Sequence, residues 1–318
     1  MNNFLDPAIL FFVFGVFAGA VKSNLEIPQS IARFLSLYLL MALGLKGGFA
    51  LQKSGFTLDI GIALGLAVFL ALLIPVLGYL FLRTSLNNFD SAAVAATYGS
   101  VSAVTFITAT QSLDQYGIEY GGHMAAAMAL MESPAIILAI LLANKARVAS
   151  ATTQQSSGIT KIFHESFTDG AQLLLLGSMV VGLISGEAGQ KIMAPFSIDL
   201  FKGMLSFFLL DMGLMAAKNF EGLKGKPPIT LIYAIGAPLV HACIALGLCK
   251  FFGLALGETI LLMVLAASAS YIAVPAVLRH ALPEVNPALY MSMSLGITFP
   301  FNIILGIPLY TYLASLSI

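Results

Sequence analysis

Two short serine clusters are the residues of this chain best suited to bind a ligand. Ser100 and Ser102 lie in the stretch AAVAATYGSVSAVTFITAT, and Ser268 and Ser270 lie in LLMVLAASASYIAVPAVLR. Hydroxyl and main-chain N–H groups can hold a small anion, whereas hydroxyl and carbonyl oxygens are ligands for Na⁺. We therefore expect a site for small ions where these two stretches meet.

Three ionisable residues lie inside long apolar runs, where charges are costly and commonly functional. Glu132, in AMALMESPAII, could bind a cation, carry a proton or brace a neighbouring helix. Asp211, in FFLLDMGLM, could line a moving interface or pair with a buried donor. His241, in APLVHACIALG, could take part in gating or coupling, or simply hydrogen-bond a neighbouring helix.

The composition indicates that these residues lie in an all-α integral membrane protein. The chain of 318 residues is 59% hydrophobic and 9% charged, and its mean hydropathy is +0.95, whereas soluble domains carry about 25% charged residues. A formal net charge of +0 provides no basic footprint for nucleic acid. The sequence contains no HExxH, GxSxG, P-loop or Rossmann motif, so we expect no enzyme and no cofactor. Without an ATP site, uphill transport would have to draw on an ion gradient.

About ten apolar segments are long enough to approach or cross the bilayer. They cover residues 8–21, 30–50, 60–82, 91–108, 121–143, 170–185, 202–217, 229–252, 259–278 and 287–314. A polar linker over 149–160 separates a first unit, 1–148, from a second unit, 161–318, with five segments in each.

The distribution of basic residues predicts the orientation in the plasma (inner) membrane. Ten of the 15 Lys and Arg residues fall on one side of the predicted spans, and that side should be cytoplasmic. Both termini would then lie outside the cell, and the 149–160 linker would lie in the cytoplasm.

The two halves of the chain resemble each other weakly. Gly44 aligns with Gly213 at an offset of 169 residues (213 − 44), and Ser100 aligns with Ser268 at 168 (268 − 100). Because five is an odd number of spans, the second half would enter the membrane upside down relative to the first. A five-plus-five inverted repeat of this kind is typical of transporters that work by alternating access.

Spans four and nine should be broken near their centres, where the serine clusters lie. Both are rich in small and hydroxyl residues, and Pro275 in span nine cannot donate a helical hydrogen bond. Unwound segments that cross at the midplane would present the positively polarised N-termini of half-helices to an anion. The alternative is that the small residues only allow close helix packing.

Several stretches together resemble the sodium-dependent bicarbonate transporters of the SbtA type over nearly the whole chain. They are LEIPQSIARFLSLYLLMALGLKGGFAL, YGSVSAVTFITATQSLDQYGIEY, MESPAIILAILLAN, YAIGAPLVHACIALGL and LAASASYIAVPAVLRHALPEVNPALY. The resemblance implies Na⁺-coupled bicarbonate symport by a ten-span protein with a gate domain and a core domain. It also implies a homotrimer in the lipid bilayer and a PII-like cytoplasmic regulator as partners.

Carried onto this chain, the resemblance implies a site at the crossing of spans four and nine. The implied residues around the anion are Gly99, Ser100, Val101, Ser102, Ala103, Ala267, Ser268, Ala269, Ser270 and Tyr271. We add Ser102, Thr105, Ser268, Ser270 and Glu132 as candidate Na⁺ ligands.

The chain departs from the family pattern at the second serine cluster. Tyr271 stands where the family has an acidic residue, and Val274-Pro275-Ala276 replaces Gly-Pro-Pro. The coupling ion could therefore be H⁺, carried by Glu132 or Asp211, and the substrate could be another small anion. A membrane anion sensor that binds without transporting is the remaining alternative.

Overall fold

The structure is a computed structural model that describes residues 6–55, 57–149, 170–220, 227–282 and 284–318. Within these ranges the chain is helical and contains no strand. Six helices are long and apolar enough to cross a membrane, and two shorter apolar helices accompany them. The all-α membrane class is as predicted, whereas the count of ten spans stays a prediction. The 149–160 linker lies outside the described residues, apart from Ala149.

The described helices are numbered α1 to α12 in chain order. Their bounds are α1 Pro7–Ala20, α2 Gln29–Ser54, α3 Leu58–Leu82, α4 Asn88–Gly99, α5 Ala103–Tyr116, α6 Met124–Ala149, α7 Gly170–Ala194, α8 Phe201–Phe220, α9 Pro228–Phe252, α10 Leu256–Ala267, α11 Ala273–Ala281 and α12 Pro287–Ser317.

Helices form here because a main-chain polar group in hydrocarbon must find its partner within the protein. Several helix starts are also capped by a side chain, as helix N-termini require. Asp6 accepts from the Ala8 N–H at 2.8 Å and caps α1. Asn87 accepts from the Asp90 N–H at 2.8 Å and caps α4.

Two helices depart from regular α geometry. Helix α7 is kinked at Gly186, whose φ of 57° is a left-handed value that suits glycine. The predicted sixth span ends one residue before this kink, but the helix itself continues to Ala194 and leads through the π turn Pro195–Asp199 into α8. Helix α12 contains two further π turns, Ser294–Thr298 and Asn302–Gly306.

Helices α1, α2, α7 and α8 form one unit in which α1 packs along α8 and α2 packs along α7. Glycines let these helices approach closely, as small residues do in membrane proteins. A Cβ at Gly48 of α2 would lie 2.8 Å from the Leu183 nitrogen and 2.9 Å from the Gly182 Cα of α7. A Cβ at Gly19 of α1 would lie 2.7 Å from the Ala217 Cβ of α8.

The remaining helices surround two central half-helices, α4 and α10. Helix α3 packs on α4 and α6, and α9 packs on α10 and α12. Every residue of α4 from Ser91 to Gly99 is buried, and so is every residue of α10 from Thr259 to Ala267. By contrast, large apolar side chains are exposed on the outer helices, among them Phe17, Phe81 and Ile184. This distribution fits an outer surface in contact with lipid.

The close approach of α2 and α7 gives a stability prediction. Gly48→Ala should lower the free energy of unfolding in detergent by about 2 kcal/mol, since the new Cβ meets main-chain atoms that cannot move aside. Gly65→Ala on α3 is the matched control, because open space surrounds that position and alanine favours a helix over glycine. Thermal unfolding of the purified variants provides the measurement, and equal midpoints for the two would contradict the packing described.

Candidate functional site

Two broken helices meet in the middle of the protein. Helix α4 ends at Gly99 and α5 begins at Ala103, while α10 ends at Ala267 and α11 begins at Ala273. The residues between them, 100–102 and 268–272, are not helical, and all but Ile272 are buried. The predicted interruptions of spans four and nine are therefore present, and we call them the first break and the second break.

The two breaks are joined by hydrogen bonds that cross between them. The Ser102 N–H donates to the Ser268 Oγ at 3.0 Å, and the Ser270 N–H donates to the Thr97 carbonyl at 2.8 Å. Unwinding frees these main-chain groups from their helical partners, and a buried polar group without a partner is costly. Each break thus provides hydrogen-bond partners for main-chain groups near the other break, and these bonds hold the two breaks together.

The hydroxyls of Ser102 and Ser268 make hydrogen bonds within the protein, whereas the buried Ser100 hydroxyl makes none with the described residues. The Ser268 hydroxyl donates to the Leu265 carbonyl at 2.8 Å while its oxygen accepts from Ser102. The Ser102 oxygen accepts from the Thr105 N–H at 3.2 Å and from the Thr105 hydroxyl at 3.0 Å. Ser102 therefore caps α5, and its own hydroxyl proton can still be donated to a ligand.

A small cavity of about 60 Å³ lies against both breaks. One wall comes from the breaks and the helix starts that follow them, and the other comes from α2, α6 and α7. The lining residues are Ser36, Leu40, Val101, Ser102, Ala103, Met128, Glu132, Ala171, Gln172, Leu175, Ser270, Tyr271, Ile272 and Ala273. We call this the central cavity, and its volume holds about four water-sized groups.

The predicted site residues divide into two groups around this cavity. Val101, Ser102, Ala103, Ser270, Tyr271 and Glu132 line it. Gly99, Ser100, Thr105, Ala267, Ser268 and Ala269 are buried nearby but are not part of its lining. Gly99 serves close packing, because a Cβ there would lie 2.6 Å from the Pro75 ring.

Tyr271 presents a polar group to the central cavity. The side chain is 5% exposed, and its ring packs edge-on against Phe299 with the centroids 5.2 Å apart. The hydroxyl lies near Ser102 but makes no hydrogen bond of normal length. A buried hydroxyl without a partner calls for an explanation, and a ligand in the cavity would provide one.

Glu132 is the acidic residue of the cavity lining. It lies on α6 and accepts a hydrogen bond from the Gln172 side-chain amide of α7 at 2.6 Å. This hydrogen bond joins α7, in the unit of α1, α2, α7 and α8, to α6, in the group of helices around the breaks. The sequence reasoning missed Gln172, whose only signal is a polar side chain at the start of an apolar run.

Asp211 and His241 do not line the central cavity. Asp211 is buried within α8. His241 of α9 is buried and lies near the carbonyl of Ala266, close to the end of α10. A structural role for His241, and a part of either residue in gating or coupling, stay predictions.

A larger cavity, of about 760 Å³, lies between α2, α5 and the start of α6. We call it the outer vestibule, because the predicted orientation places it on the extracellular side. Lys46 and Asp114 form an ion pair across it, and the Lys46 ammonium lies 5.4 Å from the centre of the Tyr120 ring. Burial raises the pKa of the Tyr120 phenol above its ordinary value, against the opposing effect of Lys46, so this group is neutral.

The outer vestibule ends about one helical turn from the central cavity. Leu43 and Phe106 line the vestibule, whereas Leu40 and Ala103 line the cavity on the same two helices. Positions three apart on a helix are separated by roughly 5 Å along its axis. A thin apolar layer thus separates the two spaces.

The described residues contain no group of three His, Cys, Asp or Glu side chains that could hold a metal ion. Any Na⁺ site in this region would therefore combine Glu132 with hydroxyl and carbonyl oxygens. Ser102 and Ser270 offer hydroxyls at the cavity wall, and oxygen ligands of this kind suit a hard cation.

A family model described as the Na⁺-dependent bicarbonate transporter superfamily matches residues 7–315, which is nearly the whole chain. No curated protein matches the sequence. The family match confirms the resemblance seen in the sequence stretches around both breaks. The chain therefore belongs to the Na⁺-dependent bicarbonate transporter superfamily.

Proposed function

We propose that the protein is a secondary active transporter that takes up a small anion, bicarbonate, by Na⁺ symport and alternating access. The observation that carries this proposal is the meeting of two broken helices at one small cavity. Half-helices whose ends face a shared site are the usual means by which membrane transporters bind ions. The family adds the identity of the substrate and of the coupling ion.

The anion would lie between the starts of α5 and α11. Each helix start carries roughly +0.5 of a charge from its aligned peptide dipoles, and both starts contribute lining residues, Ala103 and Ala273. The Tyr271 and Ser102 hydroxyls can donate to the anion from the same wall. These donors are neutral, so they bind an anion without the strong attraction of a lysine or arginine that would slow its release.

Glu132 explains why an anion would need a companion cation. An ionised carboxylate and an anion about 4 Å apart repel each other by about 4 kcal/mol at an effective dielectric constant of 20. A Na⁺ ion held by Glu132 and the nearby hydroxyls would cancel this repulsion. Binding of each ion would then favour the other, which is the thermodynamic requirement for symport.

Proton coupling through Glu132 is the second candidate. Protonation of this carboxyl would remove the same repulsion without a metal ion. Tyr271 favours this alternative, because it replaces an acid that the family pattern has at this position. Asp211 is a further candidate proton carrier, although it lies outside the cavity lining. In either scheme Glu132 binds the cation that accompanies the anion.

The helix pairings support an inverted repeat of residues 1–148 and 161–318. Helix α1 of the first half packs on α8 of the second, and α7 packs on α2 in the corresponding way. The pairs α3–α4 and α9–α10 correspond likewise. Alternating access would then move the four-helix unit of α1, α2, α7 and α8 against the helices that carry the breaks. The Lys46–Asp114 and Glu132–Gln172 contacts cross this boundary and would form and break during the cycle.

Further properties come from the family resemblance and from the distribution of basic residues. The resemblance implies a homotrimer, and the basic residues predict that both termini lie outside the cell when the protein is in the plasma membrane. A PII-like regulator would dock on the cytoplasmic face, where the 149–160 linker would lie.

Transport by the purified protein in proteoliposomes provides the direct test. Labelled bicarbonate should accumulate when an inward Na⁺ gradient is imposed, and accumulation should stop when the gradient is collapsed. Tyr271→Phe should raise the KM for bicarbonate by about tenfold, since loss of a ligand hydrogen bond costs about 1.4 kcal/mol. Saturable binding without any flux under a Na⁺ or a pH gradient would contradict transport and favour the anion sensor.

Glu132→Gln separates the two coupling schemes. Under Na⁺ coupling this variant should need at least tenfold more Na⁺ for half-maximal uptake, because the cation loses a charged ligand. Under H⁺ coupling it should abolish uptake driven by a pH gradient while Na⁺ has no effect on the wild type. Glu187→Gln is the matched control, since Glu187 is an exposed acid of α7 paired with Lys191. A Glu132→Gln protein with unchanged Na⁺ and pH dependence would exclude Glu132 as the coupling residue.

A further inference from the structure

The end of α10 at the second break leaves carbonyl groups that the helix cannot satisfy. The last four carbonyls of any α-helix lack a partner within the helix, and in a membrane interior each of them must find one in the protein. The carbonyl of Leu265 accepts from the Ser268 hydroxyl at 2.8 Å.

The carbonyl of Ala267, the final residue of α10, is bonded by a side chain from α12. The Asn302 amide donates to this oxygen at 2.8 Å. The Tyr310 hydroxyl donates in turn to the amide oxygen of Asn302 at 2.9 Å, which fixes the orientation of the amide. Asn302 is 1% exposed and Tyr310 is 0% exposed, so water does not compete for these bonds.

The local shape of α12 makes this contact possible. Asn302 begins the π turn Asn302–Gly306, and π turns inside α-helices are frequent at functional sites. Gly306 leaves room for the amide, because a Cβ there would lie 2.6 Å from the Asn302 amide oxygen. The irregular turn and the glycine together admit a polar side chain where a regular apolar helix would pack.

The last carbonyls of α4, at the first break, accept from main-chain donors instead of from a side chain of another helix. At the end of α4, the Ala96 carbonyl accepts from the Ser100 N–H at 3.0 Å, and the Thr97 carbonyl accepts from the Ser270 N–H at 2.8 Å. Both donors are main-chain groups of the breaks themselves. The second break is therefore attached to α12 through Asn302. The first break is attached to the second, and the end of α4 is also attached to α12 through the hydrogen bond between Tyr98 and Thr298.

We propose that Asn302 and Tyr310 are positioning residues that fix the second break and thereby set the affinity of the central cavity for its anion. The path of contacts runs from Tyr310 through Asn302 to the Ala267 carbonyl. From there it passes through Ser268 to the main chain of Ser102, which lines the cavity. Asn302 and Tyr310 do not line the cavity themselves. The effect on anion affinity rests on the proposed function, whereas the claim that Asn302 and Tyr310 hold the second break in place does not.

The test compares Asn302→Leu and Tyr310→Phe in the full-length protein with Thr311→Val as the control. Thr311 lies on the same helix, and its hydroxyl donates to the Ile307 carbonyl one turn earlier rather than to the end of α10. Amide hydrogen exchange measures the fixing of the break without reference to transport. Exchange across residues 268–272 should be at least tenfold faster in Asn302→Leu, and faster by a smaller factor in Tyr310→Phe. Thr311→Val should match the wild type.

Bicarbonate uptake in proteoliposomes provides the second readout. Asn302→Leu should raise the KM about tenfold and change kcat less, whereas mere loss of folded protein would lower the apparent maximal rate without raising the KM. Unchanged exchange across 268–272 in both variants would overturn the inference, and so would faster exchange with an unchanged KM. A wild-type protein without bicarbonate flux would refute the proposed function, and the exchange rates alone would then decide whether Asn302 fixes the break.

Discussion

The structure depends on one constraint: main-chain groups freed inside a membrane must be satisfied by the protein itself. Two helices are interrupted at the centre of this molecule, and each interruption leaves unpaired donors and acceptors. The Ser270 N–H meets the Thr97 carbonyl at 2.8 Å, and the Ser102 N–H meets the Ser268 hydroxyl at 3.0 Å. These cross-bonds keep the two breaks together in the buried centre of the protein. A site for a small ion results, because the starts of α5 and α11 then open on the same cavity.

The surrounding helices serve this centre in two different ways. Helix α12 carries Asn302, whose amide binds the last carbonyl of α10, so this helix holds the second break in place. Helices α2, α6 and α7 supply the other cavity wall, including Glu132 and Gln172. The close glycine contacts between α2 and α7 make these two helices a stiff unit, and the 2.6 Å hydrogen bond between Gln172 and Glu132 joins that unit to α6. A stiff helix pair packed against firmly held breaks suits a motion of whole units.

The sequence predicted the broken helices because their cause is local. Clusters of small and hydroxyl residues weaken a helix, and so does Pro275. Glu132 is recognisable from the sequence because it is a charged residue inside an apolar segment. The sequence did not predict which serine of each pair faces the cavity, since Ser268 is taken up by a contact with a residue far away in the chain. The sequence also did not predict the hydrogen bond from Asn302 to α10, because this bond depends on a π turn that changes which side chains of α12 face α10. Local sequence patterns thus predicted the breaks, whereas the contacts of each residue at the breaks depend on residues far away in the chain.

The central claim is that the paired breaks hold the anion, and thiol protection at the cavity wall tests it most directly. Ala103→Cys would be introduced into a protein whose two native cysteines, Cys243 and Cys249, are replaced by alanine. Bicarbonate with Na⁺ should slow modification of this thiol by a small methanethiosulfonate reagent, and should leave Ala50→Cys in the outer vestibule unaffected. Equal modification rates with and without saturating bicarbonate at both positions would contradict a site at the breaks.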